Sequence, residues 1–332
     1  MRDVPVQSGG RHLFELVNRD KRSMTLNLKT TEGQAILLRL AARSDVLLQG
    51  FLPAVVARLG LQYETLRPCS PQLVYVSVSG YGQSGPFHER SSHDLSLLAA
   101  SGLLDLMGAA ATPPTILPIP LADLAAALWT TLGVIAALLQ RSATGMGQHL
   151  DVSLLDSTFS LLALPLAEML ARGRDPQRGN LWLSGGQACY HVYETADSKH
   201  VALAALEPHI WQAFCMAVGR EEWSTRQGET SQSSLIADVA ALFRGRTREQ
   251  WAAVLAEADC CCEPVLTVSE SIRHPQVDHR QMFRDGVLLT PFAAKGASHS
   301  RAPRLGQHTE EILAELGYAA AQVALWRDRG IV

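Results

Sequence analysis

Between residues 118 and 139 the chain reads PIPLADLAAALWTTLGVIAALL, a run of apolar residues carrying one charge, Asp123. A stretch of about 20 apolar residues is long enough to span a bilayer, so a membrane helix and a core helix compete at the outset. Asp123 argues against the membrane: a charged Asp in hydrocarbon costs ~2.5–3.5 kcal/mol even on the lenient insertion scale. No Lys or Arg flanks the Pro118 side. The pattern predicts a core helix starting near Leu121, just after the breakers Pro118 and Pro120. Asp123 then sits in the first turn, where free N–H groups and the helix dipole favour an anion. Two readings stay open here: a capping carboxylate without chemistry, or a partly desolvated catalytic group on a rigid helix.

With 332 residues, 47% hydrophobic and 18% charged, the chain has the length and composition of a soluble protein of two domains. A net charge of -3 offers no basic face for nucleic acid and no polybasic patch for a membrane. The opening MRDVPVQSGGRHLFELV lacks the apolar region of a signal peptide, so a cytoplasmic protein is expected. Cys69, Cys189, Cys215 and the run Cys260-Cys261-Cys262 match no zinc spacing and are read as free thiols. No metal or redox cofactor is expected.

Residues 1–17 read as a poorly ordered lead-in, followed by the basic cluster NRDKRS at 18–23. Residues 24–28 alternate like a strand, and Thr31-Glu32-Gly33 opens a helix over 34–42. Val46-Leu47-Leu48 is a strand, and residues 54–59 form a helix that Gly60 ends. After a short helix at 63–67, LVYVSVS at 73–79 is the clearest strand in the chain. Strands alternating with helices predict an α/β fold with a parallel sheet. The glycine-rich loop at 80–86, including Tyr81 and Gly82, follows a strand end, where such sheets bind ligands. It has no phosphate-loop signature. His93 opens the next apolar segment, and after a turn at 144–148 residues 149–155 lead into a further helix reaching about residue 171.

RGRDPQRGN at 172–180 reads as a linker. Beyond it, 188–195 and 200–205 form a hairpin. Glu207-Pro208 starts a helix with Trp211 and Phe214 facing inward, and helices near 235–243 and 248–257 follow. A second linker-like stretch precedes a C-terminal helix at 310–316.

In this order, NRDKRSMTLNLK, ARLGL, LVYVSVSGYGQSGP, HDLSLLAASGLL, LADLAAAL, TGMGQHLDVSLLD, YETADSKHVALAALEP and LGQHTEEILAELGY resemble the family III CoA-transferases, a group that includes α-methylacyl-CoA racemase. The resemblance runs from about Asn18 to the C-terminus. It implies a large Rossmann-like domain (1–172), a small α+β domain (181–270), a linker (271–300) and a C-terminal segment (301–332) returning to the large domain. It also implies an intertwined homodimer, with coenzyme A entering as a substrate thioester.

Asp123 falls at the family's catalytic aspartate. In the transferases that carboxylate attacks the thioester, and CoA passes to a carboxylic acid acceptor through an aspartyl-CoA intermediate. In the racemase, His and Asp exchange the α-proton of a 2-methylacyl-CoA; His93, Asp123 and Glu207 stand at the three matching positions. An imidazole, which titrates near about 6.5, suits such proton transfer. Lys21, Arg22 and Arg58 stand at basic positions and, with Tyr81 and Gly82, are expected to hold CoA.

The chain also departs from the family. Leu52 replaces a common Arg, Ala54 a Gly, and Ser91-Ser92 precede His93 where Gly is usual. Against the family pattern the opening strand–loop–helix unit is missing, either because the start at Met1 is too late or because the chain is a truncated homologue, and its loss predicts an unpaired sheet edge. A transferase is expected, with a racemase and a non-catalytic truncated homologue as alternatives.

Overall fold

The computed structural model describes residues 10–284, 286–292 and 300–332. The chain divides into two compact units: Met1–Ser77 with Thr131–Asp151 and Thr267–Val332, and Val78–Thr130 with Val152–Leu266. Of the expected lead-in, residues 1–9 lie outside the described part, while Gly10–Val17 is a helix.

The first unit is built on a three-stranded sheet of β1 (Val46–Gln49), β2 (Val74–Ser79) and β3 (His149–Ser153), with β2 central. β1 and β2 are parallel, Val46 opposite Val74 and Gln49 opposite Ser77. β2 is nearly continuous in Val and Ser and buried along most of its length, as a strand covered on both faces must be. The Thr31–Ala41 helix begins where Thr30 Oγ1 accepts the Gly33 N–H at 3.1 Å. Its Ile36 packs with Leu313, Val323, Trp326 and Ile331 of the C-terminal segment. Tyr75 donates its hydroxyl to the Leu61 carbonyl at 2.7 Å, and burial pushes that phenol up to about 12.

Residues 24–28, expected as a strand, form no ladder. Their alternation is real, and Met24 and Leu26 point into the same core, but the backbone finds other partners. Thr25 N–H donates to Thr309 Oγ1 at 3.0 Å, Asn27 N–H to the Ile331 carbonyl at 2.8 Å, and Ser23 N–H to His308 Nδ1 at 3.0 Å. The extended segment is thus tied to the returning C-terminus, which carries the expected helix as Thr309–Glu315 and a further one, Ala320–Asp328.

In the second unit β4 (Tyr190–Glu194) and β5 (His200–Ala204) form the expected hairpin, and β6 (Cys262–Pro264) joins β5 antiparallel. That third strand, Cys262-Glu263-Pro264, has no strand signature in the sequence; all six cysteines are free. Thr195 Oγ1 and the Arg248 N–H donate to Asp197 Oδ1 in the hairpin turn, at 2.7 and 2.9 Å, holding its carboxyl down to about 2. Trp211 and Phe214 are fully buried, as expected, among Tyr193, Leu235, Val239 and Phe243. The indole of Trp211 donates to the Trp223 carbonyl at 2.9 Å and that of Trp251 to the Phe243 carbonyl at 2.8 Å, so neither ring leaves its N–H unsatisfied.

The expected linker 271–300 contains a short β7–β8 pair, Phe283–Arg284 with Val287–Leu288; its residues 293–299 lie outside the described part. The long helix starts as expected and runs Leu121–Thr144. Its packing reverses the expectation of a core helix. The small residues Ala122, Ala125, Ala126 and Ala137 are buried, while Leu124, Leu128, Leu132, Ile135 and Leu139 form an exposed stripe, Leu128 at 68%. This helix and the helical run Leu154–Arg172 are each long and apolar enough to cross a membrane, with 28% and 17% of their apolar windows buried.

Candidate active site

Asp123 and His93 stand at the starts of two helices in the second unit. His93 is the N-cap of Asp94–Ala100, in extended conformation, and the Ser96 hydroxyl closes that turn by accepting the His93 N–H at 3.0 Å and donating to its carbonyl at 2.7 Å. The imidazole itself makes no capping bond and is exposed. Asp123 lies in the first turn of Leu121–Thr144.

One carboxylate ties the two starts together. Asp94 Oδ1 accepts the backbone N–H of Ala122 at 2.6 Å and that of Asp123 at 3.3 Å. It takes the place of an N-cap side chain, supplied from another helix, and satisfies donors that would otherwise be free. Because Asp94 directly follows His93, this clamp also holds the His93 backbone beside the start of the Asp123 helix. Beneath, Leu97, Leu98 and Ala122 form a buried cluster on which Tyr81, Leu121 and Leu154 pack.

The Asp123 carboxyl is raised above the ordinary aspartate value. Desolvation is the largest cause, the like charge of Asp94 adds to it, and His93 acts in the opposite sense. His93 and Asp123 are therefore close enough to be coupled electrostatically, and the carboxylate makes no hydrogen bond of its own among the described residues. The product is a carboxyl with weakened hold on its charge beside a free imidazole, a pair suited to exchanging protons with a bound molecule.

The glycine-rich loop contributes by proximity. A Cβ on Gly80 would lie 1.9 Å from Ser92 Oγ, so only glycine lets the segment before His93 seat against the end of β2. Tyr81 adds a ring contact with Phe87 at 5.6 Å, and Gly82 turns the chain at φ 83°.

The remaining expected residues are not gathered at this pair. Glu207 is the exposed N-cap of Pro208–Ala217, with no bond to His93 or Asp123 among the described residues. Lys21, Arg22 and Arg58 belong to the first unit. Arg22 is spent on a fork with Glu315, both bonds at 3.0 Å, and on Glu311 at 3.1 Å. Lys21 Nζ donates to the Val17 carbonyl and Asn18 Oδ1, each at 3.0 Å. Arg58 alone of the three is exposed with no hydrogen bond or ion pair among the described residues. No cluster of three or more His, Cys, Asp or Glu capable of holding a metal occurs among the described residues.

Asp94, which joins the two helix starts, is the residue of this site that sequence reasoning misses. An acidic side chain in a first helical turn reads as local dipole compensation, and its partners lie 28 and 29 residues further along the chain. CoA-transferase family III matches residues 1–309.

The chain belongs to CoA-transferase family III. It is 33% identical over 328 residues to the alpha-methylacyl-CoA racemase of Homo sapiens, covering 95% of this chain and 86% of that protein. It is also 33% identical over 288 residues to the acetyl-CoA:oxalate CoA-transferase of Acetobacter aceti, covering 84% and 73%. Among solved structures, a CAIB/BAIF family protein from Brucella suis superposes with a TM-score of 0.77 at 31% identity, over 91% of this family III chain and 83% of the other. Its relatives in both branches are enzymes, and their two activities frame the choice of chemistry.

Proposed function

We propose that the chain acts on acyl-CoA thioesters by moving the proton on the carbon next to the thioester carbonyl, as the racemase branch of the family does. The Asp94 clamp, which ties the start of the Asp123 helix to the residue directly after His93, carries this reading, and the raised carboxyl of Asp123 agrees with it. One of the pair takes the α-proton, leaving an enolate conjugated with the thioester. The other returns a proton to the opposite face of the same carbon, so configuration inverts and no atom is gained or lost. Arg58, free and exposed among the described residues, is suited to a CoA phosphate.

Transfer of CoA between carboxylic acids is the second reading, favoured by an Asp123 carboxylate that makes no hydrogen bond among the described residues. There the carboxylate attacks the thioester carbon and the CoA thiolate leaves, giving a mixed anhydride. The thiolate then attacks the aspartyl carbonyl, releasing the first acid and leaving aspartyl-CoA for the acceptor to reverse.

Incubation with a 2-methylacyl-CoA in D2O separates the two. Deuterium at C2, abolished by both His93→Ala and Asp123→Asn, is the expected result. Absence of exchange, with CoA passing to an added carboxylate and a hydroxylamine-trapped aspartyl adduct that survives His93→Ala, establishes the transferase instead.

A homodimer completes the reading. Leu124, Leu128, Leu132, Ile135 and Leu139 recur every three or four residues on one helix face, the seam of a helix–helix contact. Glu207, unbonded to the reacting pair within one chain, would then reach it from a second copy. Light scattering should give a dimer for the parent and a monomer for Leu128→Glu; a monomeric parent at micromolar concentration, or one that sediments with lipid vesicles through this face, sinks the proposal.

A further inference from the structure

The stretch RGRDPQRGN, which the reaction above does not use, borders a polar cleft of about 820 Å³ in the second unit. Arg172, Arg174 and Arg178 line it, with Thr230 and Ser233 opposite, and Asp105 is the one carboxylate among the lining residues. Arg172 is tied to Glu168 at 2.9 Å, and Arg174 is exposed and unpaired among the described residues.

Arg178 is the anomaly. Its Nε and Nη1 are buried and have no hydrogen-bond partner among the described residues. Its third nitrogen, Nη2, stands 3.8 Å from Asp105, beyond hydrogen-bond distance, and that aspartate side chain is 72% exposed. Buried donors on a permanently charged guanidinium are rarely left unmatched. The backbone beside it is tightly packed: Gly179 turns at φ 67°, and a Cβ there would lie 2.4 Å from the Ala110 nitrogen. The first turn of the Ser233–Phe243 helix opens onto the same cleft with no side-chain cap, because Gln232 is spent on Ala188 and on the carbonyls of Arg226, Gln227 and Glu229. Charge and unmatched donors select the same chemistry.

We propose that this cleft is a binding site for a small oxyanion, the carboxylate or phosphate group of an organic molecule, with Arg178 as its principal donor. The site is defined without reference to turnover, so its test does not depend on which acyl-CoA reaction the chain performs.

Isothermal titration of the full chain with succinate, and separately with inorganic phosphate, provides the test. At least one probe should bind saturably, at least about tenfold more weakly in Arg178→Gln, a loss of the size expected for one charge-assisted donor. The tighter probe identifies the group the cleft takes. Should Arg178→Gln fail to fold by circular dichroism, Arg174→Gln, on an exposed side chain of the same cleft, must weaken binding instead. Several results overturn the site: no saturable heat from either probe, unchanged affinity in the folded Arg178→Gln chain, or binding that Arg58→Gln abolishes and Arg178→Gln does not. The site is overturned equally if neither probe binds and Arg178→Gln alters the association state, because the guanidinium then faces a second copy.

Discussion

Asp123→Asn loses about 10²–10⁴-fold in turnover, the range a positioned acid or base contributes, and melts no lower than its parent at pH 7. The two halves have one cause. Desolvation and Asp94 raise the Asp123 carboxyl in the folded chain above its ordinary value of 3.8. The folded state therefore holds that proton more tightly than the unfolded state, and stability falls as pH rises from 3.8 through the raised value. Above that window the ionised carboxylate works against folding, and asparagine removes the charge while keeping the shape. Below 3.8 both states are protonated, and parent and variant should melt alike. Melting curves over an acid-to-neutral series check the sign, and turnover on a CoA thioester checks the loss. A variant that melts well below its parent at pH 7 yet turns over normally would make Asp123 a structural cap. Stability held back at the reacting group is the usual cost of keeping chemistry on a rigid element.

What the sequence discloses about this site follows from the range of the forces involved. The strand at 74–79 declares itself, because a Val-rich run buried on both faces has few other uses, and 46–49 reads as a strand from its short apolar run. The hairpin and the helix bearing Trp211 and Phe214 are equally legible from alternation and helical spacing. Residues 24–28 carry the right alternation and still form no strand, because what matters is which backbone comes to meet them. That partner is the C-terminus, some 280 residues away. The long helix carries apolar residues on more than one face, so the pattern alone does not tell which side meets its own chain; close packing chose Ala122, Ala125, Ala126 and Ala137 and left Leu124, Leu128, Leu132 and Leu139 outside. At the site itself the resemblance marks His93 and Asp123, but not the carboxylate between them. Its role depends on two helix starts being brought together, a fact of tertiary structure that no local pattern encodes.

Asp94 can be separated from the reacting pair by substituting it two ways. Asp94→Ala removes the acceptor from the Ala122 and Asp123 N–H groups, which should cost about 1 kcal/mol in stability, as loss of an N-cap does. It also frees the two helix starts to separate, and a misplacement of about 1 Å between catalytic groups costs on the order of 10²-fold in rate. Asp94→Asn keeps an oxygen for the same N–H groups but carries no charge. It should recover most of the rate, with one difference. The like charge that helps raise Asp123 is gone, so the acidic limb of the pH–rate profile that reports Asp123 ionisation moves to lower pH. A merely structural aspartate would show the stability loss in the alanine variant without any movement of that limb in the asparagine one. In the proposed reaction Asp94 acts by position, without touching substrate, and the asparagine variant separates its two contributions: placement, which an uncharged oxygen can supply, and tuning, which requires the charge.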